Sequence, residues 1–484
     1  MQLDKVIQEL DEIDFCTISS QFRQNKSEKF LKLFELYRKH TDEGELFAQL
    51  NVSNAAFYTL KSRLMDKIQD YLFKNIKDER SEILKNVANI DNLIFQFPKE
   101  TAIAIIKKIE QDLIKNDMQH ELTVIYHALK KMNINTEKYY EYSQKYNIAV
   151  ANSLAIDKGE NVLLDFNQKL GQYYLNKEEQ DFKRLMFYKK EINNLLNLYP
   201  SDHLLVFKYL IDVQYSLFVR QSDESIEEHS VEELLRRIVS VYNEHTDDKC
   251  YSFIMKYLDV LYFEYYIQQK LFVNAQKYFE KIVFNNLNKV HCNRCYFTFN
   301  FFISTIKLYK FNSKEDRLLT DVEAFDIEID LDNVFEKILF TNFIAYSCYY
   351  SSSFKKGITT LNKLLSEVSL KSFIHSEIEI KLFLLLFYAL EGMHEHFNST
   401  YRSLVRKIKD AIQYDYENAL TLAEILKTSI STRSEDSKLF RIRELSAKFN
   451  LLNNSSRAIL PGLGIDDLFV NKLLSRKSIQ LIRA

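Results

Sequence analysis

The chain has very little of what a β-sheet protein needs for its turns. Its 484 residues include only 7 glycines and 3 prolines, and no Asn-Gly pair occurs. Tight β-hairpins depend on residues with positive φ, above all glycine. Helices joined by short polar turns need few such residues. The shortage therefore predicts an all-α fold.

Other absences limit the classes of function. Residues 1–10 contain no apolar signal region, and no stretch reaches the roughly 18 uninterrupted apolar residues of a membrane-spanning helix. Five cysteines, an odd number, do not make a disulfide framework. The formal net charge of −2 creates no field that attracts nucleic acid or anionic lipid. These features favour a cytoplasmic protein with no membrane partner.

The usual catalytic and cofactor motifs are also missing from the sequence. The few glycines are too scattered for a phosphate-binding loop, and no Gly-x-Ser-x-Gly motif occurs. His291-Cys-Asn-Arg-Cys295 has two cysteines at zinc spacing but lacks a second pair of ligands. We therefore expect no enzyme activity, no metal and no cofactor. An enzyme would need a pocket where His, Asp or Glu side chains converge, and that alternative stays open.

Apolar residues recur at helical spacing along most of the chain, which contains 36 Phe and 30 Tyr. Phe30, Leu33, Phe34 and Tyr37 lie on one face of a predicted helix, and Phe57, Leu60, Leu64, Ile68 and Tyr71 on one face of another. This pattern predicts an α-α superhelix of stacked helical hairpins that begins with an N-terminal three-helix bundle.

Composition divides the chain into five expected parts. They are an N-terminal bundle over residues 1–80, a repeat array over 81–320, an acidic connector over 321–332, a second repeat block over 333–452 and a basic tail over 453–484. In the connector, acidic and apolar residues alternate from Asp326 to Leu331, which does not fit a helix. The tail contains Leu460-Pro-Gly-Leu-Gly-Ile465, which predicts a turn or linker.

Two windows of the sequence superimpose with identical offsets, and each predicts a helical hairpin. The first contains Tyr262, Phe263 and Tyr266 before a turn and Ala275 and Phe279 after it; the second contains Ala345 and Cys348 before a turn and Gly357 and Leu361 after it. In these positions the sequence resembles the tetratricopeptide family, although the tryptophan and closing proline of that family are missing. The resemblance implies an extended concave surface that binds peptides or other proteins.

A segment near the N-terminus resembles a helix-turn-helix. It runs from Glu45 to Leu64, with a tight turn at Asn51-Val52 and a second helix capped by Ser53. The residues that would contact nucleic acid are Ser53, Asn54, Tyr58, Thr59, Ser62 and Arg63. Residues 1–80 hold 13 Lys or Arg against 14 Asp or Glu, whereas DNA-binding modules usually present a basic surface. A structural bundle at the start of the array is therefore favoured.

The sequence supports one principal function and one alternative. The principal hypothesis is a non-enzymatic scaffold or adaptor whose helical repeats bind a protein or peptide. The alternative is a transcriptional regulator in which the helix-turn-helix binds nucleic acid and the repeats sense a ligand or partner.

Overall fold

The computed structural model divides the chain into two compact units, residues 1–112 and 113–484. Residue 80, the expected end of the N-terminal bundle, lies inside the first unit. The residues that the structure describes are 3–10, 12–25, 27–39, 50, 53–75, 79–219, 229–245, 249–284, 301–324, 333–411, 415–432, 434–454 and 457–474.

The all-α prediction is confirmed, since the described residues form 23 α-helices and two short 3-10 helices and contain no strand. The first seven helices are α1 (Leu3–Glu9), α2 (Glu12–Gln24), α3 (Glu28–Arg38), α4 (Asn54–Asn75), α5 (Glu79–Ala88), α6 (Ile90–Gln96) and α7 (Lys99–Lys115). The next eight are α8 (Gln119–Met132), α9 (Lys138–Asn176), α10 (Glu179–Leu198), α11 (Asp202–Phe218), α12 (Val231–Glu244), α13 (Lys249–Gln268), α14 (Phe272–Phe284) and α15 (Phe301–Phe311). The last eight are α16 (Leu318–Ala324), α17 (Val334–Tyr350), α18 (Phe354–Glu367), α19 (Ile374–Glu391), α20 (His394–Asp410), α21 (Glu417–Ser429), α22 (Glu435–Leu452) and α23 (Asp467–Leu474). None of the described helices combines the length and the apolar character that crossing a membrane requires.

The first unit has a small core built by α1 to α4. The apolar stripes that the sequence predicted in α3 and α4 point inward, with Phe34, Phe57 and Leu64 fully buried. The guanidinium of Arg38 donates hydrogen bonds of 2.8 to 2.9 Å to the carbonyl oxygens of Ile7, Gln8 and Leu10. These contacts satisfy acceptors that the end of α1 leaves without helical partners.

The second unit is built from neighbouring helices that pack in pairs, and most of them share one continuous core. Close pairs include α8 with α9, α13 with α14, α17 with α18, and α21 with α22. The buried residues of this core extend along the sequence from Ala155 to Leu473. The first four residues of the expected acidic connector, 321–324, belong to α16; its remaining residues, 325–332, lie outside the described part.

Helix α19 is enclosed along most of its length within the second unit. Twelve of its 18 residues are buried, and apolar side chains occur on all its sides. It contacts α9, α17, α18, α20 and α21. A helix that is apolar all round is stable only inside a core, so these five helices must surround it.

The two hairpins that the sequence singled out turn in the same way. Lys270 and Ser352 occupy equivalent positions and adopt left-handed φ values of 57° and 56°. In each hairpin, the backbone N–H of the following residue donates a 2.9 Å hydrogen bond to the carbonyl oxygen five residues earlier. Leu271 donates to Tyr266, and Ser353 donates to Cys348. This is the Schellman arrangement, which usually places glycine at the left-handed position. The chain therefore makes glycine-type turns with ordinary residues.

We expect Ser352→Gly to increase the free energy of unfolding by about 0.5–1 kcal/mol, because glycine adopts left-handed φ without steric cost. Urea denaturation of the full chain, followed by far-UV circular dichroism, measures the change. The matched control is Ser351→Gly, because Ser351 has an ordinary φ of −78°. There, glycine should lower the stability. Equal effects at both positions would contradict the explanation.

Candidate functional site

A group of tyrosines lies on the accessible side of the α13–α14 hairpin. Tyr262 and Tyr266 lie one helical turn apart on α13. The ring of Tyr278 on α14 stacks on that of Tyr262, with the ring centroids 5.1 Å apart. The ring of Tyr266 lies 6.2 Å from Tyr262 and 5.6 Å from Tyr278. Tyr265 adjoins Tyr266 at 5.3 Å. All four side chains are half-buried, and we call them the tyrosine surface.

Charged groups border the tyrosine surface. The Tyr265 hydroxyl donates a 3.4 Å hydrogen bond to Glu232, which also forms an ion pair of 3.7 Å with Arg236. Burial, the neighbouring tyrosines and Glu232 raise the pKa of Tyr262 to about 12. The hydroxyl of Tyr262 is therefore protonated and able to donate a hydrogen bond at neutral pH.

The opposite side of the same hairpin faces the core. Phe263, Ala275 and Phe279 are buried, and the rings of Phe263 and Phe279 lie 5.4 and 6.0 Å from Phe301. Tyr262 and Tyr266 are half-buried and pack against the core, and their exposed area contributes to the tyrosine surface. The i to i+4 spacing of these two tyrosines, with Tyr278 following on the next helix, was the sequence signal for this surface.

In the second hairpin, Ala345, Cys348, Gly357 and Leu361 are all buried. A Cβ atom on Gly357 would collide with the ring of Phe387 on α19. The close approach at Gly357 is therefore made to α19. The sequence could not reveal this because Phe387 lies 30 residues further along the chain.

The helix-turn-helix prediction falls only partly on described residues. Residues 41–49, which would hold most of its first helix, lie outside them. The expected second helix begins α4, and Ser53, Tyr58, Thr59, Ser62 and Arg63 are exposed, with Tyr58 58% accessible. Asn54 is the first residue of α4. Thr59 and Arg63 also line a groove of about 720 Å³ between the starts of α3 and α4.

A cluster of ionisable side chains is buried where α9 ends against α19. The Glu379 side chain is only 13% exposed, and its Oε1 atom accepts a 2.9 Å hydrogen bond from the backbone N–H of Leu460. The Nε2 atom of His375 lies 3.9 Å from the same oxygen. Lys177 ends α9 in a left-handed conformation, with its Nζ atom 4.5 Å from the ring centre of Tyr174.

Burial shifts the proton affinities of this cluster. It raises the pKa of Glu379 to about 7, although the Leu460 hydrogen bond and the charge of Lys177 act in the opposite direction. It lowers the pKa of Lys177 to about 8 against the attraction of Glu379. Burial and the positive charges of Lys177 and Arg457 hold the pKa of His375 well below its usual range. This cluster was not predicted from the sequence, in which its local signal is an acidic residue inside the apolar run of α19.

The cavity beside Glu379 is too small for a substrate. It has a volume of about 20 Å³ and is also lined by Tyr174, Asn342, Tyr346 and Ser376. A space of that size holds about one water molecule. The pocket that an enzyme would need is therefore not present at this cluster.

The remaining metal candidate in the sequence is not tested by the geometry. His291 to Cys295 lie outside the described residues. Among those described, no group of three or more His, Cys, Asp or Glu side chains is placed to hold a metal ion. His120 lies 2.6 Å from the Ser153 hydroxyl through Nδ1 and 3.1 Å from Asp157 through Nε2.

Comparison of the chain with protein-family models, with curated proteins and with solved structures found no significant match. The interpretation of these sites therefore depends on their own geometry.

We expect the free energy of unfolding of the Glu379→Gln variant to increase relative to that of the native chain as the pH rises from 5 to 8. The folded chain keeps the Glu379 proton up to a pKa of about 7, whereas the ordinary value is 4.5. Native stability is therefore lost as the pH rises through this interval, and glutamine has no proton to lose. The relative gain should be about 2 kcal/mol, since one pKa unit corresponds to roughly 1.4 kcal/mol.

Denaturant unfolding of both chains at several pH values measures this difference. Glu391→Gln, at the end of the same helix, is the control and should follow the native chain at every pH. A difference between native and Glu379→Gln chains that stays constant with pH would contradict the prediction.

Proposed function

We propose that the protein is a non-enzymatic scaffold that binds a protein or peptide partner through the tyrosine surface. The observation that carries the proposal is the stacking of the half-buried Tyr262, Tyr266 and Tyr278 on one hairpin. The resemblance of this hairpin to tetratricopeptide repeats, which bind peptides, supports the same function.

Tyrosine suits this task for physical reasons. Its ring provides a large contact area with only two rotatable side-chain bonds, so little conformational entropy is lost on binding. The mutual stacking of the rings restricts them further before a partner arrives. Tyr and Arg are enriched among the residues that contribute most to protein interfaces, and Arg236, whose side chain is 69% exposed, lies beside the surface.

We expect the double substitution Tyr262→Ser and Tyr266→Ser to weaken partner binding by at least about 30-fold, the effect of losing a 2 kcal/mol interface contact. Affinity purification of the tagged full chain from its native cell, with nuclease treatment and quantitative mass spectrometry, identifies proteins that depend on these residues. Titration of the purified partner then gives the change in affinity.

The control is Tyr140→Ser, because Tyr140 is 78% exposed on α9 and lies outside the tyrosine surface. A partner of the proposed surface is retained by the native chain and by Tyr140→Ser but lost from the double variant. If every retained protein binds the double variant equally well, the tyrosine surface is not the binding site.

The exposed face of α4 favours a second candidate function, a regulator that binds nucleic acid through Ser53, Asn54, Tyr58, Thr59, Ser62 and Arg63. Fluorescence anisotropy of the full chain with a mixed-sequence DNA duplex tests it at several salt concentrations. This function requires binding that weakens with salt, because phosphate contacts release counterions. Binding must also decrease in Arg63→Ala. The first proposal predicts no measurable DNA binding.

A further inference from the structure

An irregular segment near the C-terminus lies inside the second unit. Residues 457–466, which we call the strap, connect the region after α22 to α23. Ile459, Leu460, Leu463 and Ile465 of the strap are between 0 and 7% exposed. Irregular segments usually run over the surface, because their backbone groups need hydrogen-bond partners that a core seldom provides. The strap must therefore find its partners among the surrounding helices.

Side chains of the surrounding helices supply those partners. The N–H of Gly462 donates to the Tyr346 hydroxyl (3.2 Å), and its carbonyl accepts from Tyr350 (2.7 Å). The N–H of Leu460 donates to Glu379 (2.9 Å). Three asparagine side chains complete the set. Asn418 donates to the Arg457 carbonyl and Asn450 donates to the Ile465 carbonyl. Asn453 donates to the carbonyl of Ile459 and accepts from its N–H.

These contacts resemble the recognition of a bound peptide by a groove. They are made to the backbone, so they do not depend on the identity of most strap side chains. Gly462 is the exception, because a Cβ atom there would lie 2.8 Å from the ring of Tyr346. That ring is held edge-on to Phe383 at 4.8 Å, so it has little freedom to move away. The groove therefore selects an apolar segment that turns between Leu460 and Leu463 and has glycine at one position.

The strap does not fit its groove without strain. Leu460 has a φ of 47° and precedes Pro461. A bulky residue with positive φ is a conformational outlier, and a following proline restricts its backbone further. Strain of this kind costs on the order of 1–3 kcal/mol. An external peptide that fits the groove without the strain could therefore compete with the strap.

We infer that the groove formed by α17, α19, α21 and α22 is a peptide-binding site that the chain's own strap occupies. Its ligand is an apolar segment of a partner protein that makes the same turn as the strap, with glycine opposite Tyr346. The inference rests on the proposed binding function, and it gives that function a second contact site and a competitor. Binding of the partner segment requires displacement of the strap.

The test uses the full chain and a fluorescent peptide with the sequence of residues 457–466. Gly462→Val should dislodge the strap through the contact with Tyr346 while the groove residues stay intact. A tethered segment competes at an effective concentration on the order of millimolar. We therefore expect the variant to bind the peptide at least tenfold more tightly than the native chain, measured by fluorescence anisotropy.

Two controls establish that the groove is responsible. In Gly464→Val the new side chain would meet mainly the flexible end of Lys310 and the Asp466 carboxylate, so peptide binding should remain at the native level. A peptide with valine at the position of Gly462 should bind none of the chains. A folded Gly462→Val chain that binds the peptide no better than the native chain overturns the inference.

A second measurement does not depend on the variant folding. Backbone amides of Leu460 and Gly462 in the native chain should exchange with solvent through local opening, faster than amides in the middle of α19. If these amides exchange only when the whole chain unfolds, the strap never leaves the groove and the inference is overturned. Peptide binding is measured without the cellular partner. The peptide can therefore fail to bind while the tyrosine surface still retains its partner, and the peptide can bind while the tyrosine surface retains none.

Discussion

The structure of the second unit depends on the enclosure of α19. Because this helix carries apolar side chains on all sides, no single neighbour can cover it, and five helices contact it. The 39-residue helix α9 is one of them and also packs on α8, α10 and α11. Pairs of helices in repeat proteins cannot bury their apolar faces alone, so stability comes from stacking. Here α19 joins the pairs into one core from Ala155 to Leu473.

The same enclosure explains why polar groups meet beside α19. A buried carboxylate and a buried backbone N–H each lose hydration, and each is costly without a partner. Glu379 and the N–H of Leu460 satisfy one another at 2.9 Å. The raised pKa of Glu379 indicates that this bond offsets only part of the cost of burial. Replacement of a buried ionised group by a neutral one of similar shape is often stabilising, so Glu379 contributes more to positioning the strap than to stability.

Local patterns were sufficient to predict the all-α fold and the two hairpins. The periodicity of apolar residues and the shortage of glycine are properties of short stretches, and they determine helices directly. The contacts that define the sites join distant residues: 81 positions separate Leu460 from Glu379, and 116 separate Gly462 from Tyr346. One sequence contains no signal for such pairs. The left-handed Lys270 and Ser352 were missed for another reason, since neither is a glycine.

The two proposed contact sites recognise a partner by different physical means. The tyrosine surface offers ring faces and hydroxyl groups, which tolerate many side chains because a flat aromatic face makes few geometric demands. The strap groove offers hydrogen bonds to a backbone and excludes a Cβ atom opposite Tyr346. Backbone recognition supplies affinity without sequence information, as when a peptide adds to the edge of a sheet. The requirement for glycine then supplies the selectivity, since a buried clash rejects every other residue.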